Sequence, residues 1–124
     1  MPVHPHPPVP ADLQRRLTDL YVAFNARDVR PVLGAMAPDV VWPNGWEGGV
    51  LRGHDEVREY WTRQWAQIDP TVQPIGFRLE EDGRVAVKVQ QIVRDLEGRV
   101  IADEQVTHVY RFEDGLVHDM AIRH

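Results

Sequence analysis

The chain has 124 residues, of which 43% are hydrophobic and 27% charged, with a net charge of −5 and no cysteine. These values describe one globular domain able to bury roughly two thirds of its unfolded surface. They exclude disulfides, thiolate catalysis, Fe–S clusters and Cys-type zinc sites. No Lys/Arg stripe offers phosphates a basic face, which argues against a nucleic-acid partner, and no apolar run approaches the ~20 residues of a membrane span.

Residues 1–10 carry five of the ten prolines and are expected to form an extended, flexible arm. His4 and His6 within it could ligate a metal, but a solvated tail is the simpler reading. The arm has neither the basic nor the long apolar region of a signal peptide, so a cytoplasmic location is expected. Residues 11–124 are expected to form a single domain.

From Asp12, the apolar positions Leu13, Leu17, Leu20, Tyr21 and Phe24 follow the spacing of an amphipathic helix that ends near Asn25-Ala26-Arg27. Asp28 can cap a second helix, with Pro31 tolerated in its first turn and Val32, Leu33 and Met36 inward, stopping at Ala37-Pro38. Val40-Val41-Trp42 reads as a short strand, followed by a Gly-rich loop from Pro43 to Gly53. A third helix opens near His54, with Asp55 and Glu56 placed favourably against its dipole. Val57, Trp61, Trp65 and Ile68 form its expected face, and Asp69-Pro70 ends it.

The remainder reads as a meander cut by three acidic-Gly turns. Three-residue loops at Glu81-Asp82-Gly83 and Glu113-Asp114-Gly115, each with a left-handed glycine, predict G1-bulge hairpins. The first pairs Leu79 with Val85 and Phe77 with Val87. The second pairs Tyr110 with His118, His108 with Met120 and Val106 with Ile122. A two-residue Glu97-Gly98 loop pairs Val93 with Ala102, Gln91 with Glu104, Val89 with Val106 and Val87 with His108. A three-residue loop there would demand a bulge near Asp103 to Gln105.

This register sets Gln91, Glu104, His108 and His118 on the otherwise apolar face, where an unpaired polar group costs a few kcal/mol. Either they satisfy one another or they face a cavity. Gln91 opposite Glu104 could be a hydrogen-bonded rung, and His108, flanked by Val87 and Met120, is either a satisfied core histidine or a polar anchor in a pocket. Glu104 and His108 are four apart on a strand, roughly 13 Å, so only a ligand or water chain could bridge them. The four tryptophans, Trp42, Trp46, Trp61 and Trp65, crowd into one 24-residue stretch, which suggests an indole-walled hollow. Trp61 and Trp65 are also accounted for by a helix packing on the sheet, and Trp46 by a lid or by a surface or interface position. There is no serine nucleophile, no GxGxxG or P-loop, and no metal-ligand histidine spacing outside the tail. A metal site is therefore not expected. Acid/base work by His or Glu in a desolvated pocket remains.

The strings Tyr21-Val-Ala-Phe-Asn-Ala-Arg-Asp28, Ala37-Pro-Asp-Val-Val-Trp42 and Leu51-Arg-Gly-His-Asp-Glu-Val-Arg-Glu-Tyr-Trp61, with the closing His108-Val-Tyr-Arg-Phe-Glu-Asp-Gly-Leu-Val117, resemble a SnoaL-like polyketide-cyclase or ketosteroid-isomerase-like domain of the NTF2-like superfamily. The resemblance covers residues 12–123. It implies an α+β cone-shaped barrel, three N-terminal helices on a strongly curved, mostly antiparallel sheet, with a pocket between them and commonly a homodimer. It also implies cofactor-free chemistry on hydrophobic ring compounds. The aspartate base of ketosteroid-isomerase-like members is not matched at Trp42-Pro43-Asn44. Their acidic oxyanion donor aligns with His108, and their helix-one tyrosine with Tyr21 after a one-residue slip. Arg94 and Asp95 are adjacent, on opposite faces, unlike the arginine between two aspartates of epoxide hydrolases of this fold.

The expected function is therefore binding of a small, largely apolar, ring-containing molecule, with isomerase, cyclase or hydrolase activity or as a non-catalytic binding or interaction module. Candidate catalytic residues are His108, Glu104 and Tyr21. Candidate ligand contacts are Phe24, Trp42, Trp46, Trp61, Trp65, Gln91, Tyr110 and Met120.

Overall fold

The computed structural model describes residues 7–124; His4 and His6 and most of the proline arm lie outside the described residues. Helix α1 (Ala11–Asn25) buries Leu17, Leu20, Tyr21, Ala23 and Phe24, the stripe set by the 3.6-residue period. Val9, just before it, packs half-buried against the core. Helix α2 (Val29–Gly34) is a short turn that buries Val32 and Leu33. Asp28 holds its N-cap position but makes no side-chain cap bond. The helix stops earlier than expected because the chain from Met36 is already extended: β1 spans Met36–Pro43, and Met36 is buried from a strand. A short β2 (Val50–Arg52) lies within the expected glycine loop and leads into α3 (Gly53–Trp65).

Four strands follow: β3 (Ile68–Leu79), β4 (Val85–Asp95), β5 (Val100–Glu113) and β6 (Leu116–Arg123). They join β1 and β2 in one sheet of order β2-β1-β6-β5-β4-β3. All pairings are antiparallel except β1 with β6. The sheet is curved and unclosed, with the helices packed on one side, so the expected barrel is an open one. No helix among the described residues is long and apolar enough to cross a membrane.

Ile68, expected on the third helix, instead opens β3. The segment tolerates Pro70 and Pro74 because β3 is an edge strand, and its register shifts between Pro74 and Gly76. The first hairpin keeps the predicted register, Phe77 opposite Val87 and Leu79 opposite Val85, with Gly83 at φ +89°. The middle hairpin keeps its predicted pairs, Val93 with Ala102 through Val87 with His108, by a different route. Its loop has three residues, closed by Asp95 and Arg99, and the compensating bulge falls at Ile101 rather than near Asp103 to Gln105.

The last hairpin departs from expectation. Glu113 pairs with Leu116 across a two-residue Asp114-Gly115 turn in which both φ are positive, 52° and 77°. That is the type I′ geometry suited to strand twist. A bulge at His118 follows, so Tyr110 pairs with Met120 and His108 with Ile122. A shift of two keeps Met120 and Ile122 on the inner face. His118 leaves that face for a position beside carboxylates, its Nδ1 3.5 Å from Glu113 and 4.0 Å from Asp39.

Candidate functional site

The inner face of the sheet is filled solid at one end and hollow at the other. Val85, Val87 and Val89 are fully buried in the core. Towards the free end of β4 and β5, Gln91, Val93, Ala102, Glu104, Val106 and His108 line a cavity of about 330 Å³. Alternation along the strands brings these residues to one side. Helix α1 adds Leu20, Tyr21 and Phe24, β1 adds Trp42, and α3 adds Tyr60, Trp61 and Gln64. The volume falls at the lower end of small-molecule sites, and the lining is mostly apolar with a few convergent polar groups, as such sites are.

The aromatic wall is continuous. Phe24 and Trp61 meet edge to face at 5.4 Å between centroids, Trp61 and Trp42 at 5.9 Å, and Trp42 leans on Tyr110 at 6.1 Å. Trp65 stacks on the back of Trp61 at 5.9 Å, beneath the Arg27 guanidinium at 5.2 Å, and is not in the lining. It supports the wall and is withdrawn as a ligand contact. Its Nε1 is buried without a partner.

At the inner end, three side chains from two elements form a relay. Tyr21 Oη lies 2.8 Å from His108 Nδ1 and 2.7 Å from Tyr110 Oη. Tyr110 is fully buried, and Tyr21 is its hydroxyl's sole partner among the described residues. If Tyr110 accepted from Tyr21, its own hydrogen would be stranded, which costs roughly 1–3 kcal/mol. One direction strands no hydroxyl hydrogen: Tyr110 donates to Tyr21, and Tyr21 donates to His108 Nδ1. The neutral imidazole then carries its proton on Nε2.

Nε2 has no protein partner among the described residues, yet it is not sealed, because Trp65 Nε1 is the sole sealed and unpartnered side-chain atom there. It opens to the cavity that His108 lines. Burial pushes the His108 pKa down to about 4, so the ring is neutral in ordinary solution. Burial also raises Tyr110, against the opposing effect of its bond to Tyr21, and raises Tyr21 well above its ordinary value, reinforced by Tyr110.

Glu104 is exposed at the rim, not buried, because β5 projects past the helices there. Gln91 stands opposite it and is half-buried, but no hydrogen bond joins them, so the rung is absent. Trp46 reaches the lining from the Asn44–Gly49 loop and remains 38% exposed. The loop is pinned: Asn44 Oδ1 accepts from Glu47 N–H at 2.7 Å, Arg63 pairs with Glu47 at 2.9 Å, and Trp46 N–H donates to Tyr60 Oη at 3.2 Å. Arg63 and Asn44 together hold the Glu47 carboxyl below its usual range.

Tyr60 and Gln64 were missed in the sequence reading. The signal was present: Val57, Tyr60, Trp61 and Gln64 follow i, i+3, i+4, i+7 and are the buried stripe of α3. The expected face through Val57, Trp61, Trp65 and Ile68 skipped the i+3 and i+7 positions and ran past the end of the helix at Trp65. No group of three or more His, Asp or Glu that could hold a metal ion occurs among the described residues.

The family model described as a SnoaL-like domain matches residues 17–120. Among solved structures, an NTF2-like protein of unknown function from Burkholderia pseudomallei is 30% identical over 92% of this chain and 91% of its own, with a TM-score of 0.79. TerC, co-crystallised with polyporic acid, is 26% identical over 90% of each chain, also with a TM-score of 0.79. A Mycobacterium tuberculosis protein in complex with estradiol-17beta-hemisuccinate shares the fold at 18% identity, covering 90% of this chain and 92% of its own, with a TM-score of 0.75. No curated protein matches. With a family model spanning most of its length, on a fold these structures share, the chain belongs to the SnoaL-like domain family.

Proposed function

We propose that the cavity binds a small, largely apolar, ring-containing molecule, with a hydrogen-bond-accepting oxygen of that molecule seated on His108 Nε2–H. The observation that carries this reading is the relay: two buried hydroxyls are committed inward, and the chain of bonds ends at one N–H facing an aromatic cavity. As negative charge develops on a carbonyl oxygen held there, a fixed donor polarised by two hydroxyls stabilises it more than water would. This suits cofactor-free acid/base isomerisation, cyclisation or hydrolysis. Tyr21 acts through His108 as a positioning residue. Glu104, the one carboxylate side chain in the lining, takes the proton through ligand or water.

The exposure of Glu104 at the rim favours a second reading, binding without turnover, since solvent there competes with a ligand for the carboxylate. Thermal-shift titration with ring ketones, quinones and phenols, followed by chromatography of each stabilising compound, separates the two. A stabilising compound that is altered in wild type and unaltered in His108→Ala supports the enzyme. A stabilising compound that stays unaltered supports the binder. Stabilisation that is equal in His108→Ala overturns the assignment of the donor.

A further inference from the structure

A second set of uncommitted polar atoms lies on the α3 wall of the same cavity. Tyr60 and Gln64 are 3% and 9% exposed, and both are in the lining. Tyr60 Oη accepts from Trp46 N–H and from Gln64 Nε2, each at 3.2 Å. Both lone pairs of the phenol are therefore in use, and its hydrogen has no acceptor among the described residues. Burial raises the Tyr60 pKa to about 12, opposed by the bond from Trp46, so the hydrogen stays in place. Gln64 Oε1 has no donor among the described residues, yet it is not a sealed atom. Turning the amide over would let Tyr60 donate to Oε1 but would leave both Nε2 hydrogens unplaced. With Nε2 on Tyr60 one of them is used, and it is in this orientation that the phenol hydrogen and Oε1 are both left open.

We infer that Tyr60 and Gln64 form a second hydrogen-bonding subsite that takes a hydroxyl group of the ligand, on the α3 wall rather than the β5 wall that carries the His108 donor. The inference rests on the reading above that the cavity holds a ring-containing molecule. A hydroxyl is the small group that accepts and donates at once: it receives the Tyr60 hydrogen and gives its own to Gln64 Oε1. A bare ring edge leaves both protein atoms dry and unpaired. A ketone or ether fills one of them, and a carboxylate would face the Oε1 lone pairs with no Lys or Arg in the lining to offset its charge. The ligand class is thus a hydroxylated ring carbonyl compound, with one oxygen for each wall.

The test uses ring ketones in matched pairs with and without a hydroxyl: 1-tetralone with its 5-, 6- and 7-hydroxy isomers, and 3-deoxyestrone with estrone. Dissociation constants are measured on wild type, Gln64→Leu and Gln64→Met. At least one hydroxylated member is expected to bind wild type about tenfold or more tightly than its parent, and this ratio is expected to fall towards one in both variants. Gln64→Met keeps the length of the side chain and decides the matter if Gln64→Leu folds poorly. Equal binding throughout each pair in wild type, or a preference that survives both substitutions, overturns the subsite and leaves the cavity reading standing. If no member of the panel binds, the cavity reading falls and the subsite with it.

Discussion

Removing single hydroxyls from the relay tests its direction. In Tyr21→Phe, Tyr110 loses its acceptor while fully buried, and His108 Nδ1 loses its donor while 7% exposed. Two buried polar groups are stranded, at roughly 1–3 kcal/mol each, so the substitution is expected to cost about 2–6 kcal/mol. In Tyr110→Phe, the stranded hydrogen leaves with its own oxygen and Tyr21 goes on donating to His108. The loss is one ordinary hydrogen bond, about 0.5–1.5 kcal/mol. Phenylalanine keeps the ring packing in both cases, so cavity effects largely cancel from the comparison. Urea unfolding of the two variants measures the difference. With the relay reversed, Tyr110→Phe would strand the Tyr21 hydrogen, and the two costs would converge. Equal costs, or nitrogen chemical shifts placing the His108 proton on Nδ1, refute the assigned direction.

Three further outcomes are expected. The His108 pKa is about 4 in the folded chain against 6.5 unfolded, so between those values the unfolded chain binds more protons. Stability from this residue is complete above pH 6.5 and is lost as pH falls towards 4, by roughly 3 kcal/mol in all; urea unfolding across that window should show the slope, and His108→Phe should remove it. Leu17→Ala, at a fully buried position on α1, should cost about 2–5 kcal/mol in the same assay. Gly53→Ala should lower the thermal midpoint, because Gly53 turns β2 into α3 at φ +80° and a Cβ would meet the Pro38 carbonyl oxygen at 3.4 Å; upwards of about 1 kcal/mol is expected.

The helices and the inner face of β4 and β5 were legible because each depends on a period that local residues set. The pairing of β4 with β5 came out right even though its loop was misjudged, since the extra loop residue and the Ile101 bulge cancel. In the last hairpin the errors did not cancel. Glu113-Asp114-Gly115 suits a three-residue loop with one left-handed glycine, and it suits equally a two-residue turn with Asp114 and Gly115 both left-handed. Which of these forms depends on where β6 bulges to run beside β1, a long-range requirement that no local string carries. Glu104 illustrates the same limit: period two gives its face, but only the reach of the helices over β5 decides burial. The relay was half visible, in that Tyr21, His108 and Tyr110 were all singled out, but their meeting needs the crossing position of α1 on the sheet.

That crossing also explains how a histidine this deep can serve as a donor. Charging the ring would make it the stronger donor, but the walls that exclude water disfavour the charge, and the depressed pKa reflects this. A neutral imidazole is useful as a donor only if its proton sits on the nitrogen that faces the ligand, and an isolated ring would divide between its two tautomers. Tyr21 removes the choice by donating to Nδ1, and it can donate because its own oxygen is supplied by Tyr110. On the proposed reading, what α1 contributes to the site is the choice of tautomer, fixed by the Tyr21 hydroxyl one hydrogen bond behind the His108 ring. The same logic separates the two tyrosines on β5 and α3. Tyr110 spends its hydrogen inward to set the relay, whereas Tyr60, with both lone pairs taken by Trp46 and Gln64, keeps its hydrogen for whatever enters.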